Sequence, residues 1–361
     1  MTKKKIILAA TTDLNYDQRL IRISSSLTDM GFDVLLVGRI LPTSPPLRAR
    51  KYQQYRLSCF FHKGALFYAE YNIRLFFFLL FKKANFFTAN DLDSIIGVYF
   101  SSIFKRSILV FDAHELFTEV PELHNSSKKK IWTFIEKFFV SKFQRHYTVC
   151  QSLANIFEEK LQRKFKVIRN VPYLQKENTV IDKNEKFILY QGALNEGRGL
   201  EELLHCIKEL PYKLKIAGSG DLDEKLREIT HQLEIKDKVE FLGKLTPKAL
   251  QELTPKAYIG YHLLDENNIH YYYSLGNKFF EYTNAEIPFL VMDFPEYNLA
   301  QEQYQVALKI KSLQDKDAIK KAITTLFEEE ETYIQLKENT KQLKQILNWE
   351  NEAKELASIY K

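Results

Sequence analysis

KFILYQGALNEGRGLEELL, residues 186–204, sets out the unit from which the chain is built. The apolar run Phe187–Tyr190 shows no alternation, so it reads as a short strand buried on both faces. The strand reaches Gln191 and gives way to a loop holding Gly192, Gly197 and Gly199. A helical stretch starts near Leu200, with Leu200, Leu203 and Leu204 along one side. Strand, glycine turn and helix in that order are half of a parallel α/β unit. Glycines at such a turn let backbone N–H groups approach a phosphate, and the start of a helix favours negative charge. Arg198 stands where a guanidinium can clamp a diphosphate through paired hydrogen bonds. An ordinary βα turn, with glycines serving only its geometry, fits the spacing equally well. The pattern is neither GxGxxG nor a P-loop.

The same alternation extends in both directions. Downstream, apolar runs at 213–218, 238–243, 258–263 and 287–292 are separated by helical spacing at 221–233, 246–254 and from about 277, with a weaker strand at 306–310. Upstream, strands are expected at 4–10, 32–38, 85–89, 107–112, 146–150 and 166–170. Helices are expected at 16–30, 66–82, 92–104, 128–143 and 151–162. The polar, aperiodic stretch 172–186 reads as a linker, and 315–360 reads as helical and charged. The expected fold is α/β, two Rossmann-like doubly wound domains facing across a cleft, with ligands at the carboxyl edges of the sheets. The boundaries are residues 1–172, 173–344 and a terminal helix, 345–361, that packs back on the first domain.

Composition narrows the class. At 361 residues with 45% hydrophobic and 27% charged content, the chain fits about two globular domains. Three widely spaced cysteines give neither a disulfide framework nor a metal-binding spacing, so a reducing, cytoplasmic setting is expected. The apolar stretch LFFFLLF, Leu75–Phe81, falls far short of the ~20 residues that span a bilayer. Residues 1–172 hold 27 Lys and Arg against 14 Asp and Glu, whereas the remainder is net acidic. A basic, aromatic first half suits an anionic membrane surface, and a solvated lysine-rich face suits it as well. The aromatic helix itself is expected to be mostly core. No nucleic-acid motif accompanies the charge.

YYYSLGNKFFEYTNAEIPFLV, residues 271–291, is the second informative stretch. Gly276 and Asn277 begin a helix with Lys278 in its first turn. A lysine there opposes the macrodipole, which an anionic ligand would offset. Glu281 lies on the same side, where its carboxylate can accept two hydroxyls of a ribose. A solvent-exposed Lys–Glu pair is the plainer alternative. In FDAHELF, 111–117, His114 and Glu115 follow a strand, and the histidine either binds a ligand hydroxyl or packs its own loop. Asp17 and Arg19 in NYDQR, Asp91 in NDLDS and Glu115 are acceptor-side candidates, although Asp17 and Arg19 also suit a local salt bridge.

Gly192, Arg198-Gly199, the block GNKFFEY followed by IPFLV, and FDAHELF together resemble glycosyltransferase family 4, a retaining group with the GT-B fold. The resemblance spans nearly the whole chain and is strongest over 186–297. It implies that the second domain binds a nucleoside-diphosphate sugar, with Arg198, Lys278 and the backbone at Gly276 and Asn277 on the diphosphate. Gly192, Gly197 and Gly199 shape that donor site, and Glu281 takes the ribose. It implies further that His114 contacts the donor sugar near its reacting carbon, and that no metal or other cofactor is needed. Tyr273 stands where many members carry glutamate, and Ala193 where many carry arginine. Both differences fit a subgroup with an NKxFEY-type block, though Gly276 replaces that subgroup's usual proline. The expected acceptor is a sugar or lipid-linked molecule in cell-surface polysaccharide or glycolipid assembly, at the inner face of a membrane. A nucleotide-sugar epimerase of the same fold, or an inactive binding protein, remains an alternative.

Overall fold

The computed structural model describes residues 3–119, 127–175 and 185–361. The chain divides into two compact units, Met1–Asn170 with Asn351–Lys361, and Val171–Glu350. Most of the expected linker, 176–184, lies outside the described residues.

The first unit runs β1 (Lys5–Ala9), α1 (Gln18–Asp29), β2 (Asp33–Ile40), β3 (Gln53–Ser58), α2 (Gly64–Leu80), β4 (Phe86–Asn90), α3 (Ile95–Ser102), β5 (Ile108–Ala113), α4 (Ser127–Val140), β6 (Arg145–Thr148), α5 (Gln151–Leu161) and β7 (Lys166–Val167). Its seven strands are all parallel, in the order β3-β2-β1-β4-β5-β6-β7. Every residue of β4 is buried, as is Ile6–Ala9 of β1. Centre strands covered on both faces require that continuous apolar pattern.

The second unit holds β8 (Phe187–Gln191), α6 (Leu200–Glu209), β9 (Lys213–Ala217), α7 (Asp223–Gln232), β10 (Val239–Gly243), α8 (Pro247–Leu253), β11 (Ile259–His262), α9 (Ile269–Tyr272), α10 (Asn277–Asn284), β12 (Phe289–Met292), α11 (Pro295–Ala300), β13 (Ala307–Ile310), α12 (Lys316–Glu328), α13 (Glu330–Ile346) and the start of α14 (Trp349–Tyr360). Its six parallel strands lie in the order β10-β9-β8-β11-β12-β13. From Asn351 on, α14 belongs to the first unit. There Tyr360 shares a 2.9 Å hydrogen bond with Thr88 of β4 and packs on Phe86.

Each sheet reverses its strand order once, between β1 and β4 in the first unit and between β8 and β11 in the second. The loops leaving two such strands diverge to opposite faces and open a crevice at their carboxyl ends. Residues at 9–13 and 90–93 stand at the first reversal, and residues 191–192 and 262 at the second.

Two expectations need correction. Edge strand β3 does not stand out in the sequence, because QQYRLS pairs on one side only and keeps most of its residues out of the core. The aromatic helix is also less buried than expected. Of Leu75–Phe81, only Leu75 and Leu79 are in the core, since a helix lying on a sheet buries one stripe whatever covers its other faces.

Candidate functional site

At the β8–β11 reversal, Gln191 ends β8 and the chain turns at Gly192, whose φ of 129° only glycine adopts readily. A Cβ there would also meet Lys278 Cε at 2.8 Å. The lysine side chain thus lies directly against the turn, with Nζ 4.8 Å from the centre of the Tyr190 ring. Lys278 occupies the first turn of α10, whose N-cap is Gly276. No side chain caps that end and no acid stands in its first turn among the described residues. The amide dipoles at that end meet no carboxylate from the helix's own first turn. Burial presses the Lys278 ammonium down to a pKa of about 7; the nearby Arg198 adds to the effect and Glu281 partly opposes it.

Arg198 sits on the glycine loop with its guanidinium 5.1 Å from the centre of the Tyr271 ring. Gly197 and Gly199, both at positive φ, hold that loop close to its neighbours. A Cβ on Gly197 would lie 2.9 Å from Tyr271, and one on Gly199 would lie 2.8 Å from the Tyr261 hydroxyl. Among the described residues, Arg198 Nε is buried with no hydrogen-bond partner. Arg198 and Lys278 thus stand close enough to repel, and Glu281, on exposed surface, opposes part of that repulsion at Lys278. Uncompensated like charge in a buried site is unfavourable, and a bound anion removes the penalty.

Four residues complete this site that sequence reasoning missed. Gln191 donates through Nε2 to Glu281 and accepts from Thr254 Oγ1 at 2.7 Å, so Glu281 is held from behind. His262, ending β11, shares a 2.8 Å hydrogen bond with the Tyr297 hydroxyl, which also accepts from the Gly276 N–H at 3.2 Å. Burial holds His262 well below its ordinary pKa, helped by Lys278 and Arg198, so the ring is neutral. A Cβ on residue 276 would meet His262 Nε2 at 2.5 Å, which explains glycine at that position. A polar residue closing an apolar strand was the available signal for Gln191 and His262. Only the strand order shows that these two ends adjoin.

The first unit assembles a different cluster at its own reversal. Arg19 reaches Asp112 in bidentate fashion, Nη2 to Oδ1 at 2.8 Å and Nε to Oδ2 at 3.2 Å, and donates through Nη1 to the Ile168 carbonyl at 2.7 Å. At 4% exposure Arg19 is a buried structural partner and cannot itself touch an acceptor. Asp17 caps α1, accepting from the Leu20 N–H at 3.0 Å. Arg19 thus pairs with the distant Asp112 and Asp17 with its own helix end, in place of the expected local salt bridge. His114 donates through Nε2 to Asp112 Oδ2 at 2.9 Å, while Nδ1 lies 3.2 Å from Asp91 Oδ2. Nε2 is thus engaged by Asp112, and Nδ1 stands beside Asp91. Burial alone would lower its pKa, but Asp112 and then Asp91 overcome this and raise it to about 9, so the ring is an imidazolium at neutral pH.

Asp91 also accepts from the His114 N–H at 2.8 Å and adopts φ 61°, ψ 171°, a region non-glycine residues rarely enter. Burial raises its pKa to about 7 against the pull of His114. Asp93 bonds the Thr11 hydroxyl, and burial lifts its carboxyl to about 6. Glu115 follows, half-buried. Among the described residues no group of three or more His, Cys, Asp and Glu is arranged to hold a metal.

The donor candidates Gly192, Gly197, Arg198, Gly199, Gly276, Asn277, Lys278 and Glu281 thus gather at one end of the second sheet. His114, Asp91, Arg19, Asp17 and Glu115 stand at the carboxyl edge of the first.

Residues 174–343 match the family described as Glycosyl transferases group 1. The chain is 35% identical over 81 residues to an uncharacterized glycosyltransferase of Methanocaldococcus jannaschii, covering 21% of each. It is 27% identical over 201 residues to an uncharacterized glycosyltransferase of Haemophilus influenzae, covering 46% of this chain and 57% of that one. The matches therefore span about a fifth and somewhat over half the length of these curated relatives. In three dimensions the chain is similar to HepE from Anabaena, solved in complex with UDP and glucose, with a TM-score of 0.76, 14% identity and 98% of each chain covered. That likeness establishes the two-domain fold.

Proposed function

We propose that this chain, whose residues 174–343 form a Glycosyl transferases group 1 domain, moves a glycosyl group from a nucleoside-diphosphate sugar to an acceptor. One observation carries the reading: Arg198 and the buried Lys278 converge at the uncapped N-terminus of α10 with an orphaned guanidinium N–H. That arrangement suits a diphosphate. Glu281, backed by Gln191 and Thr254, takes the ribose hydroxyls. The uridine diphosphate held by HepE makes UDP the first nucleotide to test.

Breaking the anomeric bond loads negative charge onto the departing diphosphate while the sugar becomes oxocarbenium-like. Arg198, Lys278 and the α10 amides answer that charge as it develops, and preorganised donors of this kind are the main catalytic lever. Because they meet it directly, the reaction is assigned as metal-independent and should proceed unchanged in a chelator. The GNKFFEY and FDAHELF blocks support a retaining family 4 enzyme of the NKxFEY subgroup, with the acceptor attacking from the leaving-group face. His114 acts by holding the loop after β5 in place, and Asp91 and Glu115 offer carboxylates to an acceptor's hydroxyls. The acceptor is assigned as lipid-linked, in surface polysaccharide or glycolipid assembly at the cytoplasmic face of a membrane. The described residues contain no helix long and apolar enough to cross one.

A panel of UDP-, GDP-, ADP- and CMP-sugars read by thermal shift tests the donor site. The matching nucleotide at about a hundredfold excess over its Kd should stabilise the protein by ~2.7 kcal/mol. Arg198→Ala and Glu281→Ala should erase that shift and lower kcat/KM by about a hundredfold or more. A full shift in both variants would place the nucleotide elsewhere.

Binding should also depend on pH. Lys278 titrates at about 7 in the free protein, and a diphosphate beside it raises that value, so binding takes up a proton. Affinity is then greatest below pH 7 and falls by up to about tenfold per pH unit above it, until the bound-state pKa is reached. A nucleotide-sugar is the right probe, because its diphosphate does not titrate in this range. A dissociation constant that is flat through this window would remove Lys278 from the site.

A further inference from the structure

Three neighbouring helices of the first unit carry large apolar side chains on their outer surface. Phe104, just past α3, is 95% exposed, Phe81, just past α2, is 85% exposed, and Phe134 of α4 is 65% exposed. Ile73 and Phe77 of α2 and Ile131 of α4 are also exposed. These positions form stripes: residues 66, 73 and 77 on α2, and 131, 134 and 138 on α4, recur at helical spacing on faces turned away from the core.

The stripes join into one surface. α2 packs on α3 and α3 on α4. Lys105 donates to the Leu79 carbonyl at 2.6 Å, which brings the carboxyl ends of α2 and α3 together, and with them Phe81 and Phe104. Tyr99 and Phe100 of α3 meet Phe139 of α4, and Tyr68 of α2 meets Trp132 of α4 edge-on at 5.1 Å.

Charge frames the apolar surface with one sign. Residues 60–83, 103–106 and 128–142 contain eleven lysines and arginines against two carboxylates. Glu70 is spent on Arg74 and the Phe60 and Phe61 amides, and Glu136 is buried against Lys160. Nine of the eleven cations are lysines. Lysine is depleted from protein–protein interfaces, whereas lysines around protruding phenylalanines suit anionic headgroups above an acyl layer.

We infer that the outer face of α2, α3 and α4 docks the protein on an anionic lipid bilayer, with Phe81, Phe104 and Phe134 entering the acyl boundary and the flanking lysines engaging the headgroups. This deepens the membrane-side acceptor reading above by assigning its surface, yet it stands on geometry separate from the nucleotide site. Access to a lipid-linked acceptor is what such docking would provide.

The test uses the full chain and vesicles of phosphatidylcholine with or without phosphatidylglycerol. The native protein should co-sediment with the anionic vesicles, only weakly with the neutral ones, and release in high salt. Phe81→Ser with Phe104→Ser should weaken vesicle binding by about tenfold or more, as should Lys83→Glu with Lys130→Glu. All four sites are exposed, so both variants should fold and keep the native thermal shift with nucleotide-sugar. The chain has two tryptophans, of which Trp349 is buried, so brominated lipids should quench Trp132 selectively in the native protein. Equal binding to neutral vesicles, no binding, or undiminished binding of both variants would overturn the proposal. So would a native dimer in sedimentation that these substitutions dissolve, since the face would then belong to a second copy. Vesicle binding without any nucleotide response would sink the transferase reading and leave the docking face standing.

Discussion

Lys278→Met is expected to make the free protein more stable while abolishing its response to nucleotide-sugar. In the folded chain the Lys278 ammonium is pressed from 10.5 to about 7, foremost by burial and then by Arg198. A lysine whose folded pKa is depressed destabilises the native state wherever it remains charged. That penalty is fully present below pH 7, where both states hold the proton. Between about 7 and 10.5 the unfolded chain binds the proton and the folded chain does not, so the penalty fades as pH rises. Methionine keeps much of the apolar stem beside Gly192 and Tyr190 and drops the charge. The gain should reach a few kcal/mol near or below pH 7 and shrink toward alkaline pH. Calorimetry across that range, with and without nucleotide-sugar, reads both halves. A less stable variant that still binds would show Lys278 to be structural. The expected combination is the ordinary trade of stability for function at a site built to hold charge.

The second large effect belongs to Asp112. Its side chain is fully buried and holds two cations, Arg19 by a bidentate pair and His114 through Nε2. Burial would raise its pKa, but those two partners hold it down at about 2. Asp112→Ala leaves the buried guanidinium unpaired and should destabilise the first unit by about 3–5 kcal/mol. The double variant Arg19→Met with Asp112→Leu removes both charges, so it should be milder than Asp112→Ala alone. If the two prove equally damaging, packing rather than charge dominates the site.

The same cluster sets the pH response of that unit. His114 stands at about 9 against an ordinary 6.5, so its stabilising contribution is complete below 6.5 and is lost as pH rises through 9. Asp91 and Asp93, raised to about 7 and about 6, act in the same direction between 3.8 and those values. Asp112 acts oppositely, and its contribution disappears as pH falls from 3.8 toward 2. From this cluster, stability should therefore be greatest near pH 4 and decline toward pH 9.

Much of this protein is written locally. Continuous apolar runs such as Phe187–Tyr190 and Phe289–Met292 specify buried parallel strands, and glycines at 192, 197 and 199 mark a βα turn, because backbone conformation and burial period depend on near neighbours. The diphosphate candidates Arg198 and Lys278 are legible for the same reason, each standing at the start of a helix. The partners of those residues are not. Gln191 reaches Glu281 across 90 residues and Asp112 reaches Arg19 across 93, while His262 comes under Gly276 only because its strand adjoins the one ending at Gln191. Strand order is a property of the whole packed sheet, carried by no single segment. It gave His114 two carboxylate neighbours, where the sequence offered only a ligand hydroxyl or its own loop, and the packing of the helices left phenylalanines outside where their hydrophobicity suggested a core.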